Sequence, residues 1–242
     1  MTTAKLIRLT AKIGMFIDYD FRRYHENPSL WFEIYDFDSD SWTTLDITPH
    51  WLIIISIHGV SVKGNTYWGV AGRNAYALIN HIICFDFTRE RFGPHLPLPI
   101  KAWSAQCVSL SSVKEEKITA LLQRSETYNK LEIWITTKIE ANDVSWINLF
   151  TMDTSSIEMF SFKSFFVDEE KKVAVFLGRE EEDIYGLITH ETIDVIGEAG
   201  CLKKLVLGEP EDKNCWPLVC SYVPSTVQIK QHEVGTRKEQ SY

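Results

Sequence analysis

The 242-residue sequence lacks a long apolar run and an excess of positive charge, and each absence removes a class of protein. The longest apolar run, residues 51–57 (WLIIISI), is far too short to cross a bilayer, and residues 13–17 (IGMFI) are too short for a secretory signal core. With 25 Lys and Arg against 33 Asp and Glu, the net charge of −8 argues against a nucleic-acid surface. We therefore predict an intracellular protein of the cytoplasm or nucleus, with no nucleic-acid or membrane partner.

Cysteine is scarce and is not grouped. The cysteines are odd in number and include no C-x-x-C pair, which favours reduced thiols in small apolar positions over a disulfide framework or a zinc site. The five are Cys84, Cys107, Cys201, Cys215 and Cys220.

Motifs of catalytic or metal centres are absent as well. There is no Gly-rich phosphate loop and no G-x-S-x-G elbow, and the Ser111 to Lys114 match to S-x-x-K lies in a predicted strand rather than at a helix start. No carboxylate pair stands out, although folding can bring distant parts of a chain together. We predict no enzyme and assign no catalytic, cofactor-binding or metal residues. The histidines lack metal-site spacing: His25, His50, His58, His81, His95, His190 and His232.

Two acidic clusters admit a functional and a structural interpretation. Asp36, Asp38 and Asp40 alternate as in a calcium loop, but Ser41 and Ile47 stand where that loop needs Gly and a bidentate Glu. We expect these acids to cap a tight turn through side-chain to backbone hydrogen bonds. The acids at 180–183 form the tip of a charged loop, which could recruit a basic partner but is more simply a solvated charge run.

An internal repeat is the strongest signal that the sequence does contain. Residues 34–49 align with residues 84–99 at a shift of 50 without a gap, and residues 132–146 form a looser third copy ending at Trp146. The alignment pairs Tyr35 with Phe85, Asp36 with Asp86, Phe37 with Phe87, Trp42 with Phe92, and Pro49 with Pro99.

A second landmark repeats with nearly the same period. A hairpin turn is predicted at residues 63–65, and the Val-Lys pair at residues 62–63 recurs at residues 113–114, a shift of 51. Residues 113–117 (VKEEK) in turn match residues 167–171 (VDEEK) at a shift of 54. A period near 50 with about four short strands in each unit is typical of a kelch-like β-propeller blade. We therefore predict an all-β fold of about four antiparallel blades.

The repeat also predicts strands and a core. Aromatic residues recur at matching positions, so we expect Phe37, Phe87, Trp42, Phe92 and Trp146 to form the core between blades. Strands are predicted at residues 4–10, 31–37, 82–87, 107–113, 118–123, 131–137, 144–150, 164–168, 172–177, 192–196, 202–207 and 218–229.

Several phrases of the sequence resemble the type 1 F-box-associated propeller domain of plants, in the order of that family and from about residue 4 to residue 229. This resemblance implies one β-propeller domain over residues 1–229, truncated at its N-terminus relative to the family, and a polar, disordered tail over residues 230–242. The phrases are FEIYDFDSDSWTTLDITPHW, GVSVKGNTYW, CFDFTRERFGPHLPLP, LEIWITTKIEANDVSW, SFFVDEEKKVAVF and PLVCSYVPSTVQI.

The resemblance implies a protein–protein interaction module like the part of SCF-type ubiquitin ligases that selects the protein to be ubiquitinated. In that family an N-terminal F-box docks on the ligase adaptor, and it has no counterpart in this sequence. We therefore expect an unknown protein target, no direct adaptor binding, and action as a decoy, as a remnant or through another contact. We also expect an incomplete ring that leaves the strand at 218–229 without its neighbour. The alternative is a propeller enzyme or a glycan-binding module.

Overall fold

The computed structural model confirms the all-β prediction, because its described residues form four antiparallel sheets and no helix. Chain contacts divide the protein into two compact units, residues 1–49 with 224–242 and residues 50–223. The structure describes residues 5–12, 29–47, 51–53, 59–72, 79–102, 108–123, 130–153, 164–181, 189–198 and 200–209.

Sheet A belongs to the first unit and has three described strands. Its central strand β2 (Ser29–Asp36) pairs with β1 (Lys5–Lys12) on one side and with β3 (Ser41–Leu45) on the other. Phe32 and Ile34 are buried on the same face of β2, as the two-residue period of a strand requires.

Sheet B begins the second unit, and its strand β7 (Ile79–Asp86) is covered on both faces. Five consecutive residues of β7, 82–86, are buried, as expected for a strand with a near-continuous apolar run. Its order is β4-β6-β7-β8, with β5 also paired to β6. The strands are β4 (Trp51–Ile53), β5 (Val60–Val62), β6 (Asn65–Gly72), β7 (Ile79–Asp86) and β8 (Arg91–Ala102).

Sheets C and D are four-stranded meanders in which each described strand pairs with the next one along the chain. Sheet C contains β9 (Val108–Val113), β10 (Lys117–Gln123), β11 (Lys130–Glu140) and β12 (Asp143–Asp153). Sheet D contains β13 (Ser164–Asp168), β14 (Val173–Glu181), β15 (Thr189–Gly197) and β16 (Gly200–Gly208). Strand β14 continues past its predicted end at residue 177 to residue 181, where Glu181 pairs with Thr189.

Two apolar clusters hold the second unit together, and sheet C contributes to both. Because successive side chains of a strand point to opposite faces, Ile118 and Ala120 of β10 lie in the first cluster, and Leu121 lies in the second. The first cluster joins sheets B and C through Val62, Tyr67, Ile82, Cys84, Leu96, Leu98, Val108, Leu110, Leu122 and Ile139. The second joins sheets C and D through Val113, Leu131, Ile133, Ile135, Phe150, Met152, Phe165, Val167, Ala174, Phe176 and Ile196.

The predicted aromatic core between the blades is wrong for four of its five residues. The core clusters consist mainly of aliphatic residues from the middle of strands, whereas Phe37, Trp42, Phe87 and Phe92 stand in or beside hairpin turns, where a sheet ends and side chains meet solvent. Trp42 is 42% exposed, and Trp146 packs on the rim of the first cluster. Phe37, Phe87 and Phe92 are only half-buried.

The repeat itself is confirmed for its two best copies. The β2–β3 and β7–β8 hairpins have the same loop length, and Tyr35 pairs with Trp42 as Phe85 pairs with Phe92. The third copy differs, because its turn has two residues and Trp146 pairs with Thr136, further from the turn. The described residues do not include the predicted strand at 218–229 or the predicted tail at 230–242. The expectation of an incomplete ring with that strand unpaired therefore also lies outside them.

Candidate interaction surface

Three turns from neighbouring sheets meet at one end of the second unit. They connect β5 to β6 (residues 63–64), β9 to β10 (114–116) and β13 to β14 (169–172), and we call them the turn row. The backbone N–H of Lys63 donates to the carbonyl oxygen of Glu115 at 2.9 Å. On the other side, Lys117 Nζ lies 2.6 Å from Glu169 Oε1. The turn row therefore crosses both boundaries between sheets.

The turn row is polar and largely neutralises its own charge. A second ion pair, Lys114 Nζ to Glu170 Oε1 at 3.2 Å, joins side chains that are 73% and 83% exposed, and such pairs contribute little to stability. A shallow cleft of about 110 Å³ lies beside it. The turn row therefore presents charged side chains of both signs, and little apolar surface, to any protein that binds there. The cleft is lined by Lys63, Glu116, Lys117, Thr136, Thr137 and Ile139.

Aspartates fix the geometry of three hairpin turns, as predicted for Asp36. Asp36 Oδ1 accepts the backbone N–H groups of residues 38 and 39 at 2.8 and 3.2 Å. Asp86 Oδ1 accepts those of residues 88 and 89 at 2.9 and 3.1 Å, and Asp168 Oδ1 accepts that of residue 171 at 3.0 Å. This bond to the backbone and the ammonium of Lys171 lower the pKa of Asp168. The last loop residue of each turn (Asp40, Glu90 and Lys172) has a φ of 50°.

Asp40, a second member of this acidic cluster, has a different role. Asp40 accepts a hydrogen bond from the hydroxyl of Tyr35, and this bond raises the pKa of that phenol. Among the residues that the structure describes, no group of three or more His, Cys, Asp or Glu side chains is placed to hold a metal ion. The acidic run at 180–183 continues strand β14 through Glu181, and its side chains lie outside the described residues.

The cysteine prediction is half right where the structure tests it. Cys84 is fully buried in the first core cluster, and burial raises the pKa of its thiol to about 11. Burial also raises the pKa of the neighbouring Tyr67. Cys201 is exposed at the start of β16, so it does not fill a small apolar position. The remaining three cysteines lie outside the described residues.

Of the other candidate residues, Ser111 and Lys114 are not arranged for catalysis, and two histidines lie close together. Ser111 is buried in β9, while Lys114 pairs with Glu170 in the turn row, so the S-x-x-K match has no catalytic geometry. His81 and His95 lie in adjacent strands of sheet B with their ring centres 5.4 Å apart. Of the other histidines, His190 lies on β15, and the rest lie outside the described residues.

Strand β16 carries four of the six large apolar side chains that are exposed among the described residues. It is the last strand in the order of sheet D, and every residue from 201 to 207 is exposed. A strand at residues 202–207 was predicted from the sequence, but its exposure was not, because burial depends on the neighbouring sheet. The exposed apolar side chains are Leu202 (59%), Leu205 (42%), Val206 (61%) and Leu207 (54%).

No helix among the described residues is long and apolar enough to cross a membrane. Similar curated proteins come from Arabidopsis thaliana and include one named Peroxiredoxin-2A, which is 62% identical over 239 residues, 98% of this chain and 41% of that protein. Putative F-box protein At4g10740 is 52% identical over 94% of this chain and 56% of its own length. F-box protein At2g38590 is 51% identical over 93% of this chain and 53% of its own length.

The chain thus spans about half the length of the curated relatives it matches. The family model for the F-box associated beta propeller domain matches residues 5–229, which include all four described sheets. The chain therefore belongs to the F-box associated beta propeller domain family.

Proposed function

We propose that this chain is a protein–protein interaction module of the kind that selects targets for SCF-type ubiquitin ligases, acting in the cytoplasm or nucleus. The family match over residues 5–229 carries the proposal. Relatives named as F-box and F-box/kelch-repeat proteins support it, including F-box/kelch-repeat protein At1g48625 at 48% identity. The target is an unidentified protein.

The described surface suits binding better than catalysis. Its acidic and basic side chains pair across the turn row at the surface, and its exposed apolar residues are concentrated on one edge strand. Apolar patches of this kind are typical of sites where proteins bind one another.

Peroxide reduction is the second candidate, because one similar protein is named Peroxiredoxin-2A. The nucleophile of a thiol peroxidase is a thiolate, and a pKa of about 11 keeps Cys84 protonated at neutral pH. The matched region covers only 41% of that relative, and proteins named as F-box proteins share the same region. We therefore propose a binding function for this chain without enzymatic activity of its own.

Adaptor binding and target binding can be tested separately. The F-box is helical and the described strands offer no comparable element, so we expect purified residues 1–242 not to co-precipitate the adaptor at micromolar concentration. F-box protein At2g38590 is the positive control for the adaptor. Proteins that this relative and residues 1–242 both capture are then identified by mass spectrometry.

The proposed mode of action is occupancy of a shared target. An excess of residues 1–242 should slow ubiquitination of that target by the ligase containing the relative. The proposal fails if no captured protein is shared, or if the excess leaves the rate unchanged. Robust adaptor binding by residues 1–242 would overturn the occupancy mechanism.

A further inference from the structure

The hairpin between β2 and β3 presents aromatic rings and carboxylates together at residues 35–42, and we call these residues the Trp42 hairpin. We propose that the Trp42 hairpin binds a short basic segment of a partner protein, with an arginine guanidinium stacked on Trp42 and paired with Asp38 and Asp40. The inference rests on the proposed function and names the surface and the chemistry of one binding site.

Three aromatic rings cluster at the Trp42 hairpin. The ring centre of Tyr35 lies 4.8 Å from that of Phe37 and 5.0 Å from that of Trp42. Trp42 nevertheless keeps 42% of its surface exposed, although tryptophan side chains are highly buried on average. An indole is the aromatic ring that attracts a cation most strongly, so the exposed part of Trp42 suits a guanidinium.

The equivalent hairpin of sheet B, residues 85–92, uses its aromatic residue differently. Phe92 stands at the position of Trp42 after a shift of 50, and its ring centre lies 4.9 Å from that of Trp51 and 6.2 Å from that of Trp68. Phe92 therefore packs against aromatic residues of β4 and β6 and is half-buried. The exposure of Trp42 is thus not a requirement of the hairpin geometry.

Charge distinguishes the two hairpins further. Residues 35–42 (YDFDSDSW) contain three acids and no Lys or Arg, whereas residues 85–92 (FDFTRERF) contain two acids and two arginines. The guanidinium of Arg89 lies 3.3 Å from Asp86, so the sheet B hairpin neutralises its own acid. Ser39 stands at the position of Arg89 and hydrogen-bonds to Ser41 at 2.8 Å. The Trp42 hairpin therefore contains no cation that could balance its acids.

Asp38 and Asp40 are the acids that lie in the turn itself. Residues 37–40 form this turn, beyond the last paired residues of β2 and β3. Both carboxylates are exposed, and neither forms an ion pair with a residue that the structure describes.

A hydrogen bond links the acids of the turn to the aromatic cluster. Asp40 accepts the hydroxyl of Tyr35, whose ring contacts Trp42. The carboxylate is thereby held on the same side of the hairpin as the rings. Arginine matches this arrangement, because its guanidinium stacks on aromatic rings and donates a planar fork of hydrogen bonds to carboxylates.

A neutral glycan and a second copy of this chain fit the Trp42 hairpin less well. The Tyr35 ring makes angles of 86° with Phe37 and 47° with Trp42, so the cluster is not a flat platform for a sugar ring. A neutral sugar also leaves the acids without a counter-charge. Two copies of the chain repel each other overall, since each carries a net charge of −8. These observations favour a basic segment of a different protein.

The test uses residues 1–242 and three fluorescent ten-residue peptides of glycine and serine, with two central arginines, lysines or glutamines. We expect the arginine peptide to bind roughly tenfold more tightly than the glutamine peptide at low salt, because it pairs with the acids. It should bind roughly threefold more tightly than the lysine peptide, because guanidinium stacks on the indole. Both basic peptides should bind more weakly at high salt, where exposed charges are screened.

Two variants separate the aromatic contribution from the charge. Trp42→Leu should remove the preference for arginine over lysine. Asp38→Asn combined with Asp40→Asn should weaken both basic peptides by a similar factor, roughly fivefold, and keeps the acceptor oxygens of the turn. The matched control is Glu115→Gln combined with Glu116→Gln, which removes the same charge from exposed positions of the turn row. It should change neither affinity by more than about twofold.

Each outcome supports or overturns the docking proposal. Loss of the arginine preference in Trp42→Leu, together with weaker binding in the aspartate variant, supports it. If Trp42→Leu melts at a lower temperature than the parent protein, the aspartate variant alone decides. Equal weakening by the turn-row control, or equal affinity for the arginine and glutamine peptides, overturns it. Binding of a neutral oligosaccharide in place of the peptides, or dimerisation that the aspartate variant abolishes, also overturns it.

Target capture separates this site from the proposed function. If shared targets are captured equally by the parent and by the aspartate variant, the interaction function stands and the Trp42 hairpin site fails. Peptide binding without shared targets supports the Trp42 hairpin site and overturns the proposed target selection.

Discussion

Asp86 illustrates how one side chain fixes a hairpin of this fold. Its carboxylate accepts two backbone N–H groups of the turn, and its Oδ2 lies 3.3 Å from the guanidinium of Arg89. The Asp36 turn repeats the backbone contacts at a shift of 50. These turns were predictable because an aspartate before a tight loop bonds its own backbone whatever lies around it.

We expect Asp86→Ala to lower the free energy of unfolding by about 1–2 kcal/mol, because two backbone N–H groups lose a charged acceptor. Asp86→Asn should retain most of the stability, since its amide oxygen can accept the same bonds. Urea unfolding monitored by tryptophan fluorescence measures both changes. Asp38→Ala is the matched control, because Asp38 is exposed in the equivalent turn and should shift stability by less than about 0.5 kcal/mol. Equal effects of the alanine and asparagine variants at position 86 would contradict the turn role.

Aromatic burial was not predictable in the same way. Phe92 contacts Phe85 and Trp51 with ring centres 5.0 and 4.9 Å apart, but it stays half-buried beside its turn. A repeat in sequence identifies equivalent positions along strands, and it does not say which positions face the next sheet. That depends on the packing of whole sheets, so the aliphatic core was missed although the blades were found.

At the scale of elements, most predicted hairpins agree with the structure where it describes them, because local turn chemistry and strand alternation determine them. The loop tip predicted at 180–183 differs, because β14 continues through Glu181. The contacts between sheets do not follow from any one hairpin. Trp146 Nε1 of β12 donates to the carbonyl oxygen of Pro97 in β8 at 2.9 Å. Nearby, Gly93 of β8 approaches the turn of sheet C so closely that an added Cβ would lie 2.5 Å from the Ala141 carbonyl oxygen.

Gly93→Ala should therefore destabilise the second unit by roughly 1–3 kcal/mol, because the methyl group meets backbone that cannot rotate away. The measurement is thermal unfolding followed by circular dichroism. Gly64→Asn is the control, since Gly64 has a φ of +76° with open space around it, and asparagine tolerates that conformation. A Gly93→Ala protein as stable as the parent would show that β8 and the sheet C turn separate freely.

At the scale of the whole molecule, the position of sheet C explains why residues 50–223 form one compact unit. Its strands supply side chains to both core clusters, so sheet B and sheet D depend on the same central element. Strand β16 has the opposite character, because its residues 201–207 are all exposed and none of its residues lies in either core cluster. Buried apolar contact and solvent exposure are thus concentrated in different strands of the same unit.

This division predicts the order of amide hydrogen exchange within residues 50–223. Strand β10 has five consecutive buried residues, 118–122, and it can open only by separating from two apolar clusters. Opening β16 exposes little new surface, since residues 201–207 are already exposed. We expect peptides covering β10 to exchange about a hundredfold more slowly than peptides covering β16, because local stability follows buried apolar contact. Mass spectrometry after deuterium labelling measures both, with urea-unfolded protein as the reference for full exchange. Protection of β16 equal to that of β10 would contradict the expectation that local stability in this unit follows buried apolar contact.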